Sequence, residues 1–310
     1  MTRLGEFERI ERFFAPLAAP GAAGLADDVA VVGLGPDQEL VLKADTIVEG
    51  VHYLAGDAPD LVARKLLRVN LSDLAGKGAT PLGYLLTTTL PDRCDEAWLE
   101  AFARGLGQDQ AAFGFGLFGG DTTRTEGPAV LSAMVLGAIP RGTIVRRGGA
   151  RVGDLVGVTG TLGDGALGLK AIRGELDFLD EADRAFLAER YRLPQPRLAE
   201  GRALLGTAHA MLDVSDGLVQ DLGHLCAASG VAAIVEVERL PLSPAGRRAI
   251  ERRPELIEAA LGGGDDYELL FAASEPRFTL IGRIESGQGV RVVDGAGREV
   301  ELASAGYRHF

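Results

Sequence analysis

The spacing of apolar and polar positions along the chain predicts helices and strands that interleave from one end to the other. Apolar residues three or four positions apart indicate helices with one buried face, whereas alternating or continuous short apolar runs indicate strands. By this criterion helices are predicted over residues 4–14, 59–75, 95–113, 165–173, 181–190, 196–205 and 218–228. Strands are predicted over residues 29–34, 39–44, 83–90, 128–139, 155–159, 211–214, 232–237 and 267–272. The pattern therefore predicts a mixed α/β or α+β fold, with residues 241–254 left without an assignment.

One segment in the middle of the chain has little that could be buried. Residues 140–154 read PRGTIVRRGGARVGD, rich in arginine and glycine, and a new predicted strand begins directly after them. A length of 310 residues is large for a single core and suits two domains of ordinary size. We therefore predict an N-terminal α/β domain over residues 1–145 and a C-terminal α/β domain over residues 146–310.

The charge balance narrows the class of partner. The chain has 32 Lys and Arg against 44 Asp and Glu, a formal net charge of −12, which argues against nucleic acid or an anionic membrane as the main partner. The most apolar stretch, residues 130–139, is about half of the ~20 residues that a membrane helix needs. The charged start of the sequence shows no apolar signal core, and only Cys94 and Cys226 are present. We expect a cytoplasmic protein.

Acidic residues cluster beside glycine, serine and threonine at several predicted strand and helix ends. Such pairings are common in turns and caps, so each cluster alone is weak. Together they suit Mg²⁺, a hard cation that takes oxygen ligands and is usually completed by waters and substrate phosphates. The clusters are Ala26-Asp27-Asp28, Ala44-Asp45-Thr46, Asn70-Leu71-Ser72-Asp73, Gly119-Gly120-Asp121-Thr122, Asp213-Val214-Ser215-Asp216-Gly217 and Gly264-Asp265-Asp266-Tyr267.

Two further features bear on the chemistry. Asp73 falls near the C-terminal end of a predicted helix, where the helix dipole disfavours an anion, so a nearby cation is the alternative to a solvated side chain. The glycine-rich run over residues 160–165 follows a strand and opens a helix, which would allow its backbone N–H groups to hold an anion, although most such runs are only turns. The sequence has no P-loop motif and no thiol or histidine pattern typical of covalent catalysis.

In this order the motifs resemble those of the thiamine-monophosphate kinase family, part of the aminoimidazole ribonucleotide synthetase-like superfamily. The resemblance extends over nearly the whole chain and is carried by an ordered set of short segments. They are Gly5-Glu6-Phe7, Asp45-Thr46-Ile47-Val48-Glu49-Gly50-Val51-His52, Val69-Asn70-Leu71-Ser72-Asp73, Gly119-Gly120-Asp121-Thr122-Thr123, Val158-Thr159-Gly160-Thr161, Asp213-Val214-Ser215-Asp216-Gly217-Leu218 and Asp266-Tyr267-Glu268-Leu269.

The resemblance implies a two-domain α/β protein that transfers the γ-phosphoryl group of ATP to thiamine monophosphate with the help of several Mg²⁺ ions. It also implies a homodimer formed by the N-terminal domains, with the C-terminal domain completing the nucleotide and substrate site. By position, the implied magnesium ligands are Asp28, Asp45, Asp73, Asp121, Asp213 and Asp216. The implied nucleotide contacts are Gly120, Asp121, Arg147 and Ser215. The implied thiamine-phosphate contacts are His52, Asp265 and Tyr307. No covalent nucleophile is implied.

Four positions depart from the family pattern. Ala26 replaces the glycine that usually precedes the first aspartate pair, and Lys43-Ala44 replace the Ser-Thr that usually precede Asp45. Asp265 replaces a glutamate and is one methylene shorter. Because Lys43 brings a positive charge to the place where a cation would bind, the metal site beside Asp45 is the part of the pattern most affected.

Two alternatives remain open from the sequence. The first is that the chain is another member of the superfamily. A selenophosphate synthetase would require a cysteine and lysine pair near the N-terminus, and no such pair occurs before Lys43. The chain also ends Arg308-His309-Phe310, without the terminal cysteine of the hydrogenase maturation factor. The other is a non-catalytic metal or nucleotide sensor, which would keep the aspartates but form no thiamine diphosphate.

Overall fold

The computed structural model of the protein describes residues 5–27 and 29–307, and it divides into two compact units. The first unit comprises Met1–Leu74 and Ala79–Gly142, and the second comprises Ala75–Gly78 and Thr143–Phe310, in each case for the residues described. Among those residues, every helix is too short or too polar to cross a bilayer.

The first unit is a four-stranded sheet with two long helices. Its strands lie in the order β1-β4-β2-β3, with β1 antiparallel to β4, β4 antiparallel to β2, and β2 parallel to β3. A short helix α1, a π-helical turn and two 3-10 turns precede the sheet. The elements are α1 Glu6–Arg9, the π turn Ile10–Phe14, 3-10 turns Ala15–Leu17 and Ala23–Leu25, β1 Gln38–Val48, α2 Pro59–Ala75, β2 Thr80–Leu90, α3 Glu96–Phe113, β3 Gly116–Arg124 and β4 Val130–Pro140.

Local sequence signals set the ends of the two long helices. The Asp95 side chain caps α3 by accepting a hydrogen bond from the Trp98 N–H at 2.9 Å, and Gly114 ends the helix at a φ of 71°. Helix α2 buries Leu66, Leu67 and Leu74 completely. Successive residues of β1 and β2 largely alternate between buried and more exposed positions. This alternation indicates that the helices cover one face of the sheet and leave the other open.

The second unit is a six-stranded mixed sheet with helices packed against it. The strand order is β10-β7-β9-β5-β8-β6, in which only β10 and β7 run parallel. Its strands are β5 Leu155–Val158, β6 Ala208–Asp213, β7 Ala232–Glu236, β8 Leu269–Ala273, β9 Thr279–Glu285 and β10 Gly289–Val293. Its helices are α4 Asp164–Ile172, α5 Glu181–Arg192, α6 Leu198–Ala203, α7 Leu218–Ser229, α8 Pro244–Arg252 and α9 Ile257–Gly262.

The core of the second unit lies between this sheet and α7. Val156, Val158, Leu222 and Leu270 are fully buried there, and β8 is buried over its whole length. Strand β8 therefore reads as a continuous apolar run because it lies inside the sheet with both faces covered.

The mixed α/β class predicted from the sequence is confirmed, but several individual elements differ. Residues 29–34 were expected to form a strand and do not; Val29 and Val31 are 67% and 76% exposed, and in the described part of the chain this segment pairs with no strand. Strands β3, β9 and β10 and helix α9 were not predicted, and α8 lies in the stretch left unassigned.

Candidate active site

Asp45 and Asp73 are brought together in the first unit by a lysine. The Lys43 ammonium lies 3.0 Å from Asp45 Oδ1 and 3.0 Å from Asp73 Oδ2. Lys43 and Asp45 are two residues apart on β1 and so project to the same face, toward α2, which carries Asp73. Buried Asn70 of α2 fixes this arrangement, since its Oδ1 accepts the Asp45 N–H at 3.0 Å and its Nδ2 donates to the Leu66 carbonyl at 2.9 Å.

The electrostatics of this cluster follow from its partial burial. Burial raises the pKa of Asp45, Lys43 lowers it and Asp73 raises it, with a net pKa of about 6. Burial lowers the pKa of Lys43, but the two carboxylates outweigh that effect and leave the pKa above its usual value. The ammonium therefore stays charged and offsets the repulsion between the two aspartates, including the one at the unfavourable end of α2.

Gly120 and Asp121 lie on the edge strand β3. A Cβ at Gly120 would lie 1.8 Å from the Leu86 carbonyl oxygen of β2, so only glycine fits beside that strand. Gly120 pairs with Leu86, which pairs with Ala133, the partner of Asp45. Asp121 is one residue further on and is therefore directed to the opposite, open face of the sheet from Asp45.

Asp121 borders a cavity of about 540 Å³ in the first unit. Gly119 and Gly120 line it beside Asp121, and Asp27 is the second acidic residue at its wall. The rest of the lining is mainly apolar and includes Phe14. Asp28, implied as a metal ligand, lies outside the residues that the structure describes.

His52 lies in the turn after β1. The ring Nδ1 accepts a hydrogen bond from the Val48 backbone N–H at 3.1 Å. The backbone N–H of His52 donates to the Val48 carbonyl at 2.9 Å. Because Nδ1 acts as the acceptor, the neutral ring carries its proton on Nε2. The turn thus fixes both the position and the tautomer of this side chain.

In the second unit, Ser215 and Asp216 lie in the loop between β6 and α7, directly after the buried Asp213. Asp221 of α7 holds this loop. Its Oδ2 accepts the N–H groups of Ser215, Asp216 and Gly217 at 3.0, 3.0 and 3.2 Å. Burial raises the pKa of Asp221 to about 6, although these three backbone hydrogen bonds lower it.

Asp265 and Tyr307 lie against the same loop. The Asp265 N–H donates to the Ser215 carbonyl at 2.9 Å, and the Tyr307 N–H donates to the Asp216 carbonyl at 2.9 Å. Gln220 links the two sides by donating to Asp216 Oδ2 at 3.2 Å and to the Tyr307 carbonyl at 2.7 Å. The structure thus brings four of the predicted residues (Ser215, Asp216, Asp265 and Tyr307) to one place in the second unit.

Asp265 has a left-handed backbone. Its φ is 68°, and that of Tyr267 is 54°, values that side chains other than glycine adopt rarely. The Tyr267 hydroxyl donates to Asp265 Oδ1 at 3.2 Å, which fixes the shorter acid in place. Strain of this kind persists only where the surroundings enforce it, as at ligand-binding segments.

Arg147 lies in the second unit on an exposed segment. The preceding residue attaches that segment to β6, because the Arg146 carbonyl accepts the Met211 N–H at 2.9 Å. Gly148 allows a close approach to α7, since a Cβ there would lie 2.6 Å from the Ala228 carbonyl oxygen.

The glycine-rich run over residues 160–165, at the start of α4, already binds a side chain of the protein where an anion was considered. Asp266 is buried, and its carboxylate accepts the Gly163 N–H at 2.6 Å and the Gly165 N–H at 3.0 Å at the start of α4. Burial raises the pKa of Asp266 well above its usual value, with these two hydrogen bonds opposing the shift. The glycine-rich loop therefore binds a carboxylate of the protein itself.

Glu268 forms a second buried centre that sequence reasoning missed. It accepts hydrogen bonds from Arg197 Nε and Nη2 at 2.6 Å each, from Arg190 Nη2 at 3.0 Å and from Thr159 Oγ1 at 2.7 Å. The sequence does contain a signal for this centre, since Glu268 directly precedes a fully apolar strand. A charge buried at such a position needs an oppositely charged or hydrogen-bonding partner.

Across residues 5–27 and 29–307, no three His, Cys, Asp or Glu side chains form a group that could hold a metal ion. The carboxylates of Asp45 and Asp73 are of the kind that suits a hard cation, and in this structure Lys43 supplies the positive charge between them.

Family comparisons agree with this architecture. Residues 26–139 match the AIR synthase related protein N-terminal domain, and residues 151–295 match the AIR synthase related protein C-terminal domain. Thiamine-monophosphate kinase of Caulobacter vibrioides is 44% identical over 98% of this chain and 90% of the relative. The chain belongs to the thiamine-monophosphate kinase family. The resemblance inferred from the motifs is thereby confirmed.

Solved structures of the family share the fold. Thiamine-monophosphate kinase from Stenotrophomonas maltophilia K279a has a TM-score of 0.81 and 39% identity, covering 89% of this chain and 91% of its own. AaThiL complexed with AMPPCP and TMP also has a TM-score of 0.81, with 34% identity over 100% of this chain and 99% of its own. The two-domain AIR synthase related fold predicted from the family resemblance is confirmed.

Proposed function

We propose that this chain is a thiamine-phosphate kinase that converts thiamine monophosphate and ATP to thiamine diphosphate and ADP. The observation that carries the proposal is full-length similarity to thiamine-monophosphate kinases, including a relative solved with AMPPCP and TMP. The cytoplasm, where ATP is available, is the proposed location.

The proposed reaction is a direct in-line displacement. An oxygen of the thiamine-bound phosphate forms a bond to the γ-phosphorus of ATP, and the bond from that phosphorus to the β,γ-bridging oxygen breaks as ADP leaves. Such chemistry needs positioning and neutralisation of charge more than a nucleophilic side chain. This requirement is consistent with a chain whose candidate residues are mainly aspartates on fixed backbone.

Charge neutralisation is assigned to Mg²⁺, held by the aspartates that the family resemblance implies. They are Asp28, Asp45, Asp73, Asp121, Asp213 and Asp216. When bound, the ions would stabilise the charge that develops on the phosphate oxygens. The paired carboxylates of Asp45 and Asp73 support the assignment, because they already share one positive charge.

Substrate contacts are assigned to the residues that the family resemblance implies. Gly120, Asp121, Arg147 and Ser215 are assigned to the nucleotide, and His52, Asp265 and Tyr307 to thiamine phosphate. The hydrogen bonds that join Asp265 to Ser215 and Tyr307 to Asp216 support these roles, since a preorganised site loses less entropy on binding. A planar guanidinium such as Arg147 suits phosphate oxygens. An aromatic ring such as Tyr307 suits the cationic thiazolium.

We also propose a homodimer formed by the N-terminal domain, residues 1–145. Part of the open face of its sheet is apolar, where Leu40, Leu42, Leu85 and Met134 are between 37% and 57% exposed. A second copy of this face is the proposed occupant. Light scattering of the wild type and of Leu42→Asp tests this assignment, because a charge on the face should yield monomers.

The activity is tested by incubating the protein with ATP, Mg²⁺ and thiamine monophosphate, and separating the products chromatographically. Thiamine diphosphate should accumulate, with ADP in equal amount. Reactions with other phosphorylated acceptors, or with none, should give neither. A sensor would bind ATP and form no thiamine diphosphate, and that outcome would reject the proposal.

The aspartate assignments have their own test. Asp121→Ala and Asp216→Ala should each abolish turnover and keep the wild-type circular dichroism spectrum, because removing clustered charge relieves repulsion. Asp177→Ala, at an exposed position before α5, is the acidic control and should keep full activity. Full activity of either site variant at saturating Mg²⁺ would contradict its assignment.

A further inference from the structure

Lys43 lies where the two carboxylates would share a cation. Its ammonium is 3.0 Å from one oxygen of Asp45 and 3.0 Å from one of Asp73. The side chains of Lys43, Asp45 and Asp73 are 34%, 39% and 28% exposed, so ions from solvent can reach the pair and the lysine can swing outward. The Asn70 amide oxygen accepts the Asp45 N–H, and one oxygen of each carboxylate faces the ammonium.

An ammonium and a magnesium ion cannot both occupy this position. Charged N–H groups lie roughly 2.7–2.9 Å from carboxylate oxygens, whereas Mg²⁺ binds oxygen at about 2.0–2.1 Å in an octahedron. A divalent ion bound by both aspartates would therefore require the oxygens to move inward and the ammonium to leave. With the ammonium in place, an incoming divalent cation also meets repulsion from a charge at close range.

We propose that Lys43 is a built-in cation: in the substrate-free protein it holds the position between Asp45 and Asp73, and a divalent ion binds there only by displacing it. This inference rests on the proposed assignment of the two aspartates as metal ligands and concerns how this chain controls that site. It means that Lys43 balances one of the two negative charges and offsets their repulsion before any metal arrives, so the first unit keeps this part of its fold in the absence of Mg²⁺.

The experiment counts bound metal directly, without substrates. Mn²⁺ is titrated into chelator-treated protein lacking ATP and thiamine monophosphate, and free Mn²⁺ is measured from its electron paramagnetic resonance signal. Lys43→Met removes the ammonium and keeps the aliphatic chain. Lys170→Met is the matched control, because it removes a lysine whose Nζ pairs with Glu175 at 3.1 Å on the surface of the second unit.

Lys43→Met should bind one more Mn²⁺ per chain than the wild type, and Lys170→Met should bind the same number as the wild type. Adding Asp45→Asn to Lys43→Met should remove the additional ion. Mn²⁺ should also raise the melting temperature of Lys43→Met more than that of the wild type. An unchanged Mn²⁺ count in Lys43→Met, or an additional ion that persists without Asp45, would overturn the inference.

A second measurement covers the case in which Lys43→Met fails to fold. Asp45→Asn in the wild-type background should leave the substrate-free Mn²⁺ count unchanged, because Lys43 rather than metal occupies the pair. Loss of one ion would show that the pair binds metal with Lys43 present and would overturn the inference. Absence of kinase activity in the wild type would instead reject the proposed function and leave the Mn²⁺ count valid.

Discussion

Replacement of Arg197 by methionine removes the main counter-charge of a buried carboxylate. Glu268 has no exposed side-chain surface, and two of its hydrogen bonds, both at 2.6 Å, come from the Arg197 guanidinium. Arg190 and Thr159 would remain, through one hydrogen bond each. The Arg197→Met variant removes this bidentate ion pair, and with it a longer contact to Glu200 at 3.7 Å, while most of the packing volume is kept.

The expected loss follows from the burial of the acid. Breaking a buried ion pair by removing one partner costs about 3–5 kcal/mol, because a charge is left without compensation. The Arg197 side chain is 25% exposed and Arg190 remains at 3.0 Å, so water and the second arginine limit the loss. We expect the free energy of unfolding to fall by about 3 kcal/mol, the lower end of this range.

The assay is urea denaturation followed by circular dichroism, in buffer containing a chelator so that metal binding does not contribute. Arg202→Met, at an exposed position on α6, the helix that directly follows Arg197, is the control and should change stability by no more than about 0.5 kcal/mol. In a Glu268→Gln background the Arg197→Met loss should shrink by roughly 2 kcal/mol, since the neutral amide needs no counter-charge. Equal losses for Arg197→Met and Arg202→Met would refute the reasoning.

Three other predictions concern stability, each measured by the same denaturation assay. Gly120→Ala should destabilise by about 1–3 kcal/mol, because its Cβ would lie 1.8 Å from the Leu86 carbonyl. Gly223→Ala, inside α7 with nothing within 4 Å of a new Cβ, should stabilise by about 0.5–1 kcal/mol. Asp221, whose folded pKa of about 6 exceeds its usual 3.8, holds its proton where the unfolded chain loses it, so its contribution to stability falls as pH rises. The stability difference between wild type and Asp221→Asn should therefore drop by about 2 kcal/mol from pH 4 to 7, and a difference independent of pH would contradict the assigned pKa.

Apolar periodicity predicted the elements that carry a continuous buried stripe. Helices α2 and α3 match their predicted bounds within one residue because each buries a row of leucines or aromatics between a clear start and a glycine stop. The same criterion missed β3, whose sequence GLFGGDTTR is short of apolar side chains because it lies at the sheet edge with glycine pressed against β2. It also predicted a strand over residues 29–34, where alternating valines are exposed instead of paired.

The candidate site was predicted to a different extent in its two parts. The ordered motifs singled out candidate aspartates through the family resemblance, and the roles of those aspartates stay a prediction. The supporting contacts were not predictable in the same way. Asp221, Asp266 and Glu268 act by accepting hydrogen bonds from groups up to 109 residues away along the chain, and no local pattern indicates such partners.

The segment that contains Asp265 is anchored on both sides by buried acids. Asp266 is hydrogen-bonded to the start of α4. Glu268 is hydrogen-bonded to Arg190 of α5 and to Arg197, the residue before α6. A shift of any of these helices would pull on the backbone of Asp265, which already has an unfavourable φ. Mutations in α4, α5 or α6 should therefore alter acceptor selectivity without touching a ligand, and laboratory evolution for a new acceptor should select changes at these anchors as well as at Asp265.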